Sequence, residues 1–328
     1  MIMLKYCIKR FLESLVTIFI VVCIVFLLVR LMPIDGFFPE GLYEQMTPAA
    51  RINHLYSLGV VDRDGDPVNP FIQLYRYLLG IVQNRSLGIS TRIAPNMEVA
   101  AIIGQRVPIT MRLNLISLAI SMTLGYSLGI LMAVFKDKFY GVIDHIGMAY
   151  IVIVTAVPNL VLWVYMQHYI TLWLDVSMIY RTGQWQTLIA PVICLAVGGV
   201  AGGGLWMRRF MVDELNKDYV KLAYAKGLPT GKVMYRHVLR NAFVPMAYNF
   251  PAAVIFTMGG SLIMERLFSI PGMGRLLVDA VNQRDTNFVQ ALVLMFSAMG
   301  VFSVFLGDLF ATIVDPRISL VSKGGTRK

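Results

Sequence analysis

Charge is what this chain has least of. Only 15% of its 328 residues are Asp, Glu, Lys or Arg, against about 25% in soluble domains. Hydrophobic residues make up 57%, and the charges gather in bands between long apolar runs. A soluble globule is therefore excluded and a polytopic membrane protein indicated. Cysteine is scarce as well. Of three residues, Cys23 and Cys194 lie inside apolar runs and Cys7 in the basic lead, so neither a disulfide framework nor a zinc spacing arises and all three read as small packing residues. His54, His145, His168 and His237 are scattered without ligand spacing, which speaks against a metal site. The chain has no Gly-x-x-x-x-Gly-Lys-Ser/Thr phosphate loop, no His-Glu-x-x-His helix and no Ser/His arrangement, so an ATPase or an intramembrane enzyme is a weak reading. Centres of the apolar runs are almost uncharged, which counts against a proton- or sodium-coupled carrier. The net charge of +10 comes from basic residues beside those runs, and reads as membrane-face anchoring rather than nucleic-acid binding.

What is present is a set of six apolar runs, residues 11–31, 109–135, 146–174, 187–207, 242–264 and 289–314. Each can cross a hydrocarbon core of about 30 Å as a helix. The first follows Lys5, Lys9 and Arg10 like a signal peptide. Its apolar stretch of about 20 residues exceeds the usual 7–15, however, and no small-x-small site follows, so it reads as an uncleaved span. Lysine placement sets the orientation. Lys5 and Lys9 precede the first run, Lys136 and Lys138 join the second and third, and Lys217, Lys221, Lys226 and Lys232 join the fourth and fifth. Lys323 and Lys328 lie in the tail, while the opposite side carries only arginines. The positive-inside rule then places both termini in the cytoplasm. The expected organisation is a lead and first span (1–31), an extracytoplasmic segment (32–98), a core of five spans (99–315) with a cytoplasmic loop at 208–241, and a cytoplasmic tail (316–328).

The extracytoplasmic segment offers a helix start at Thr47-Pro48, a turn cluster from Asp62 to Pro67, and helical spacing of Phe71, Leu74, Tyr75, Leu78 and Leu79. The aspartates lack a full calcium-loop pattern and read as a solvated turn. Pro158 predicts a kink in the third span. Gly125 and Gly129, with Gly198, Gly199, Gly202, Gly203 and Gly204, predict close helix packing. Asp308, near the inner end of the last span, is a functional candidate or a paired structural acid.

The loop from Asp218 to Pro245 is the most informative stretch. Its pattern predicts two helices joined by a break at Gly227-Leu228-Pro229, with Gly227 as a left-handed cap and Pro229 opening the second helix. Asp213 and Glu214 ahead of Lys217, Lys221 and Lys226 suit a helix macrodipole. Lys232, Arg236 and Arg240 recur every fourth residue and suit phosphates or an acidic partner. Small residues Ala223, Ala225 and Gly227 leave the first helix thin enough to enter a partner's groove. A segment resting on anionic lipid fits the pattern equally.

The segment DYVKLAYAKGL resembles the DYV-x-TARAKGL pattern of permeases in dipeptide, oligopeptide and nickel importers. Other landmarks agree in order along nearly the whole chain. Leu87-Gly88-Ile89-Ser90 resembles the outer-loop GDLGxS motif, and Gln105 to Thr110 the RLPxT entry to the second span. Arg236 to Ala242 resembles RHxLRNA, and Glu265 to Leu276 resembles VExxFxxPGxGRL. Arg284-Asp285 and Asp315-Pro316-Arg317 resemble the RD and DPR motifs. Departures occur at Arg85-Ser86, Tyr224, Thr155 and the 175–183 turn. The resemblance implies an all-α integral membrane protein of six transmembrane helices with the type I ABC importer (MetI-like) permease fold, the first permease of a pair. It implies as partners a second homologous permease, two ATP-binding cassette ATPase subunits, an extracytoplasmic substrate-binding protein and membrane lipid, with no nucleic acid. ATP and Mg would be bound by the ATPases, and no cofactor by this chain. It further implies ATPase docking by Tyr219, Val220, Ala223, Ala225, Lys226, Gly227 and Leu228. Arg236, His237, Arg240 and Asn241 would brace the loop. Glu265, Arg266, Pro271, Gly272, Gly274, Arg284 and Asp285 become candidates for an outer gate or binding-protein contact. Substrates carried by such relatives include peptides, nickel chelates, glutathione and oligosaccharides. A prokaryotic cell membrane is the implied location.

Overall fold

The computed structural model describes residues 2–38, 41–84, 86–136 and 141–314. Arg85, Lys138, the Asp315-Pro316-Arg317 motif and the 316–328 tail lie outside the described residues. Among the described residues the chain is helical, with two isolated bridges, Val61 to Pro67 and Ile89 to Glu98, and no sheet. In order the helices are α1 (Ile2–Arg30), α2 (Leu42–Gln45), α3 (Pro48–Ser57), α4 (Pro70–Asn84), α5 (Val99–Val134), α6 (Val142–Ala156) and α7 (Asn159–Leu174). There follow α8 (Ile189–Leu215), α9 (Asp218–Ala225), α10 (Thr230–Val233), α11 (Arg240–Phe256), α12 (Leu262–Leu267), α13 (Met273–Asn282) and α14 (Thr286–Val314). Five helical runs are long and apolar enough to cross a membrane, and α6 with α7 makes six if the pair is one span bent by 104°.

Three spans differ from the apolar runs that announced them. Helix α5 begins ten residues before the run at 109, because Val99, Ile102 and Ile103 bury their side chains against α13 and α14. Pro158 does more than kink its span. Val157, forced out of the helical region by the following proline, is extended at φ −80°, ψ 130°, and the helix stops and restarts. The run at 242–264 is also interrupted. Helix α11 ends at Phe256, a tight turn spans Thr257–Gly259, and Gly260 at φ +81° turns the chain into α12.

The helices form two compact units. The first takes in the described residues of Met1–Ile109 with Pro271–Phe305. Its core joins Val99, Ile102 and Ile103 to Met273, Leu276, Ala280, Phe288 and Leu292. A second small core, Phe37, Phe38, Leu55, Leu58 and Val61, organises the segment after α1. There Thr47 caps α3 as expected, its Oγ1 accepting from Ala50 N at 3.4 Å, with Pro48 in the first turn. The Asp62 carboxylate accepts from Asp64 N and Asp66 N at 3.0 and 2.9 Å, so it holds its own turn.

The second unit takes in Thr110–Ile270 and the described residues of Leu306–Lys328, with α8 at its centre. Tyr150 Oη and Trp163 Nε1 donate to the α8 carbonyls of Val197 and Cys194 at 2.8 and 3.1 Å. The glycines divide by face. A Cβ on Gly129 would come 2.5 Å from Gly204 O and 2.7 Å from Met207 Cβ, so α5 and α8 meet backbone to backbone, whereas Gly198 and Gly202 have nothing within 4 Å. Arg208 clamps α8 to α6 through a two-pronged pair with Asp144, Nη2 to Oδ2 at 2.6 Å.

Candidate functional site

The loop between α8 and α11 is built by local rules. Helix α9 ends at Gly227, φ +75°, in a Schellman arrangement: Gly227 N donates to Tyr224 O at 2.9 Å and Leu228 N to Ala223 O at 3.3 Å. Pro229 then precedes α10, which runs without a break through a π-helical segment, Met234–Leu239, into α11. The second loop helix and the fifth apolar run are thus one continuous helix. One expectation fails here. Asp213 and Glu214 belong to the last turn of α8, not to the start of the loop helix, and Asp218 is the acid in the first turn of α9.

Burial sorts the predicted docking residues into two sets. Val220 and Ala223 are buried among Met207, Met211, Val233, Val238 and Ala242. They fix α9 to the bundle and do not face outward. Tyr219, Ala225, Lys226 and Gly227 are exposed, as are Leu222 and Tyr224, while Leu228 is half-buried. Tyr219 is also a brace. Its hydroxyl donates to the Glu214 carboxylate, accepts from Asn241 Nδ2 at 2.8 Å and lies 3.3 Å from His237 O. Burial, and then the bond to Glu214, push its phenol above the ordinary tyrosine range. Of the predicted braces, Asn241 and the His237 carbonyl meet Tyr219. Arg236 and Arg240 stand exposed with Lys232. Glu214 was missed, since a surface acid five residues from a tyrosine carries no sequence signal.

The outer candidates form a different kind of structure. Asp285 is fully buried. Its Oδ2 accepts from Ser90 Oγ at 2.7 Å and from the backbone N–H groups of Thr91, Arg92 and Ile93 at 3.1, 2.9 and 3.2 Å. Its Oδ1 accepts from Phe288 N at 3.3 Å, which makes it the N-cap of α14. Arg284, at φ +54°, donates to the carbonyls of Asp35 and Phe38 at 3.2 and 3.1 Å. The Leu-Gly-Ile-Ser and Arg-Asp motifs, nearly 200 residues apart in sequence, are thus one knot. Gly272 and Gly274 are buried and the Pro271 carbonyl accepts from Arg106 Nη1 at 3.3 Å. In the second unit Glu265 is fully buried and accepts from Thr110 Oγ1 at 2.9 Å. Only Arg266 among these candidates is exposed. Glu265, Gly272, Gly274 and Asp285 are buried, so none of them presents an exposed side chain or backbone to a partner in this structure.

Nothing in either place assembles a metal site: among the described residues no three His, Cys, Asp or Glu side chains converge. The arrangement suits mechanical work, with one helix exposed on one side and packed on the other.

Comparison with known proteins gives the family. Residues 125–320 match the family described as binding-protein-dependent transport system inner membrane component. A 215-residue stretch, 65% of this chain, is 36% identical to the oligopeptide transport system permease protein AmiC of Streptococcus pneumoniae serotype 4, of which it spans 42%. The dipeptide transport system permease protein DppB of Bacillus subtilis is 28% identical over 98% of this chain and 100% of its own length. The glutathione transport system permease protein GsiC of Salmonella paratyphi A is 30% identical over 96% and 99% respectively. A multi-pass membrane protein with its loop helix braced between two spans, this chain belongs to the family of binding-protein-dependent transport system inner membrane components.

Proposed function

We propose that this chain is the permease subunit of an ATP-driven importer, forming half of a translocation pathway for dipeptides and oligopeptides. It docks a cytoplasmic ATPase through residues 218–228, and both its termini lie in the cytoplasm. The observation that carries this reading is the two-sidedness of α9. Tyr224, Lys226 and Gly227 lie on the exposed side, while Val220 and Ala223 are seated against α8 and the helix that continues into α11. A displacement of the exposed side is therefore passed to two spans. For such a push to change access across the membrane, the ATPases must contact the loop differently in their two states.

In this reading a second permease completes the pathway, two ATPases bind and hydrolyse ATP with Mg, and an extracytoplasmic binding protein delivers the solute. This chain hydrolyses nothing. The names of the AmiC and DppB relatives favour peptides, while the likeness to GsiC over nearly the whole chain favours glutathione as the second reading. Nickel chelates and oligosaccharides are weaker alternatives on the same architecture.

The test is co-purification of tagged wild type and Gly227→Trp, followed by ATPase assay in lipid. Nothing lies within 4 Å of a Cβ at Gly227, so the indole projects from the surface, while the backbone strain at φ +75° is matched by a Gly227→Ala control. The wild type is expected to bring down a second permease and two ATPases, and the variant to lose the ATPases or their response to substrate. A wild type that purifies alone and transports without ATP refutes the importer. Complexes intact and coupled in both refute the docking surface.

A further inference from the structure

Helix α4 is an amphipathic helix turned inside out. Its exposed positions are Phe71 (68%), Ile72, Tyr75 (63%) and Val82 (76%), joined by Arg76 and Gln83. Two of its polar groups point inward instead: Gln73 is buried and donates from Nε2 to Val68 O at 2.7 Å, and the Tyr77 hydroxyl is enclosed within the protein. A helix that faced water would present the reverse pattern.

The position of α4 is fixed by α1. The apolar stretch of α1 ends at Arg30, whose Nη2 donates to Leu58 O at 3.0 Å and whose guanidinium lies 5.1 Å from the centre of the Phe26 ring. Phe26 in turn packs on Tyr77 of α4, ring centres 5.2 Å apart. Phe26 precedes Arg30 by one helical turn, about 6 Å along the axis. Helix α4 therefore meets α1 within a turn of the point where its hydrocarbon-facing stretch stops. On α1 itself Ile24 and Leu28, with Leu31 just past its end, are exposed, so apolar side chains still face outward at the level where α4 is attached. Aromatic residues with an arginine beside them suit that depth, where rings sit at headgroup level and the guanidinium reaches the phosphates.

We propose that α4 lies in the bilayer interface, in the leaflet where α1 ends, with Phe71, Tyr75 and Val82 among acyl chains and Arg76 at the lipid phosphates. Residues between α1 and α5 are thus a membrane-attached platform and not a free loop. The occupant of the face is phospholipid rather than a protein partner, since the Phe26–Tyr77 contact holds α4 at the level where the apolar stretch of α1 ends.

The experiment places a nitroxide at Tyr75→Cys, Val82→Cys and, as a water-exposed reference, Asp64→Cys. The background is a full-length chain carrying Cys7→Ser, Cys23→Ser and Cys194→Ser, extracted with its co-purifying subunits and reconstituted in phosphatidylethanolamine–phosphatidylglycerol liposomes. Power saturation is read with oxygen and with a nickel chelate. Labels at 75 and 82 should collide with oxygen several-fold more than with nickel, and the label at 64 should show the opposite ratio. Nickel-dominated collisions at 75 and 82 would mean a water-facing helix and overturn the proposal. Protection from both reagents would mean a protein partner covers the face, and would overturn it equally.

Discussion

Replacing the buried Asp285 with alanine should loosen the loop at residues 90–93, nearly 200 residues away in the chain. The substitution removes the acceptor of three backbone N–H groups, Thr91, Arg92 and Ile93, all within 3.2 Å, and the cap on Phe288 N. An orphaned buried donor costs about 1–3 kcal/mol and a lost N-cap about 1. Water entering the space left by the carboxylate offsets part of this, so a local loss of about 3–5 kcal/mol is expected. At 1.4 kcal/mol per factor of ten, that is an increase of roughly a hundredfold or more in hydrogen exchange at those three amides. Asparagine keeps one oxygen acceptor, and Asp285→Asn should raise exchange by about tenfold. Mass spectrometry of peptides covering 88–97, in lipid nanodiscs, reads all three proteins. Exchange in the alanine variant within threefold of wild type would refute the knot as a structural element.

Three further outcomes are expected. Gly227→Ala, forced to keep φ +75°, should cost about 1–2 kcal/mol and lower the ATPase response to substrate. Gly231→Ala, free of contacts and not left-handed, should be neutral in the same assay. Gly129→Ala should lower the thermal midpoint in detergent by the equivalent of about 1–3 kcal/mol through its clash with Gly204 and Met207, whereas Gly202→Ala should not lower it. The His54 imidazole lies 3.1 Å from Phe37 O and 3.2 Å from Arg92 Nη2. Burial first, and the Arg92 charge as a lesser cause, hold its pKa below 6.5. The unfolded segment then binds a proton more readily than the folded one, so local stability falls as pH drops through and below 6.5. Proteolysis of the 34–58 segment should accelerate across that window, and His54→Gln should abolish the dependence.

The apolar runs, the Thr47 cap, the Gly227 cap and the close-packing character of Gly125, Gly129 and Gly204 were legible in the sequence, because each depends on residues close in the chain or on composition; that α5 and α8 are the pair that meet was not. Ends of spans were less so. At 99–108 the apolar residues Val99, Ile102, Ile103 and Val107 are interrupted by Gly104, Gln105, Arg106 and Pro108, and they pack in a unit that only tertiary structure assembles. The loop's docking face could not be sorted from its braces by spacing, since Val220 and Ala223 differ from their exposed neighbours only in what α8 and α10 place against them. Asp285 and Ser90 are 195 residues apart. Their motifs could be recognised separately, but no periodicity joins them.

The break at Val157 and Pro158 constrains more than the path of one span. Two helix ends meet there, each with backbone groups that have no intrahelical partner, and the proline supplies no N–H of its own. Hydrocarbon cannot satisfy such groups, so irregular backbone at membrane depth survives only against protein or in a wet cavity. Thr155, Ala156, Pro158 and Asn159 at this elbow are exposed in the isolated chain. An elbow at membrane depth has to turn this side of the chain toward protein or water, so the bend distinguishes one flank of α6 and α7 from the other.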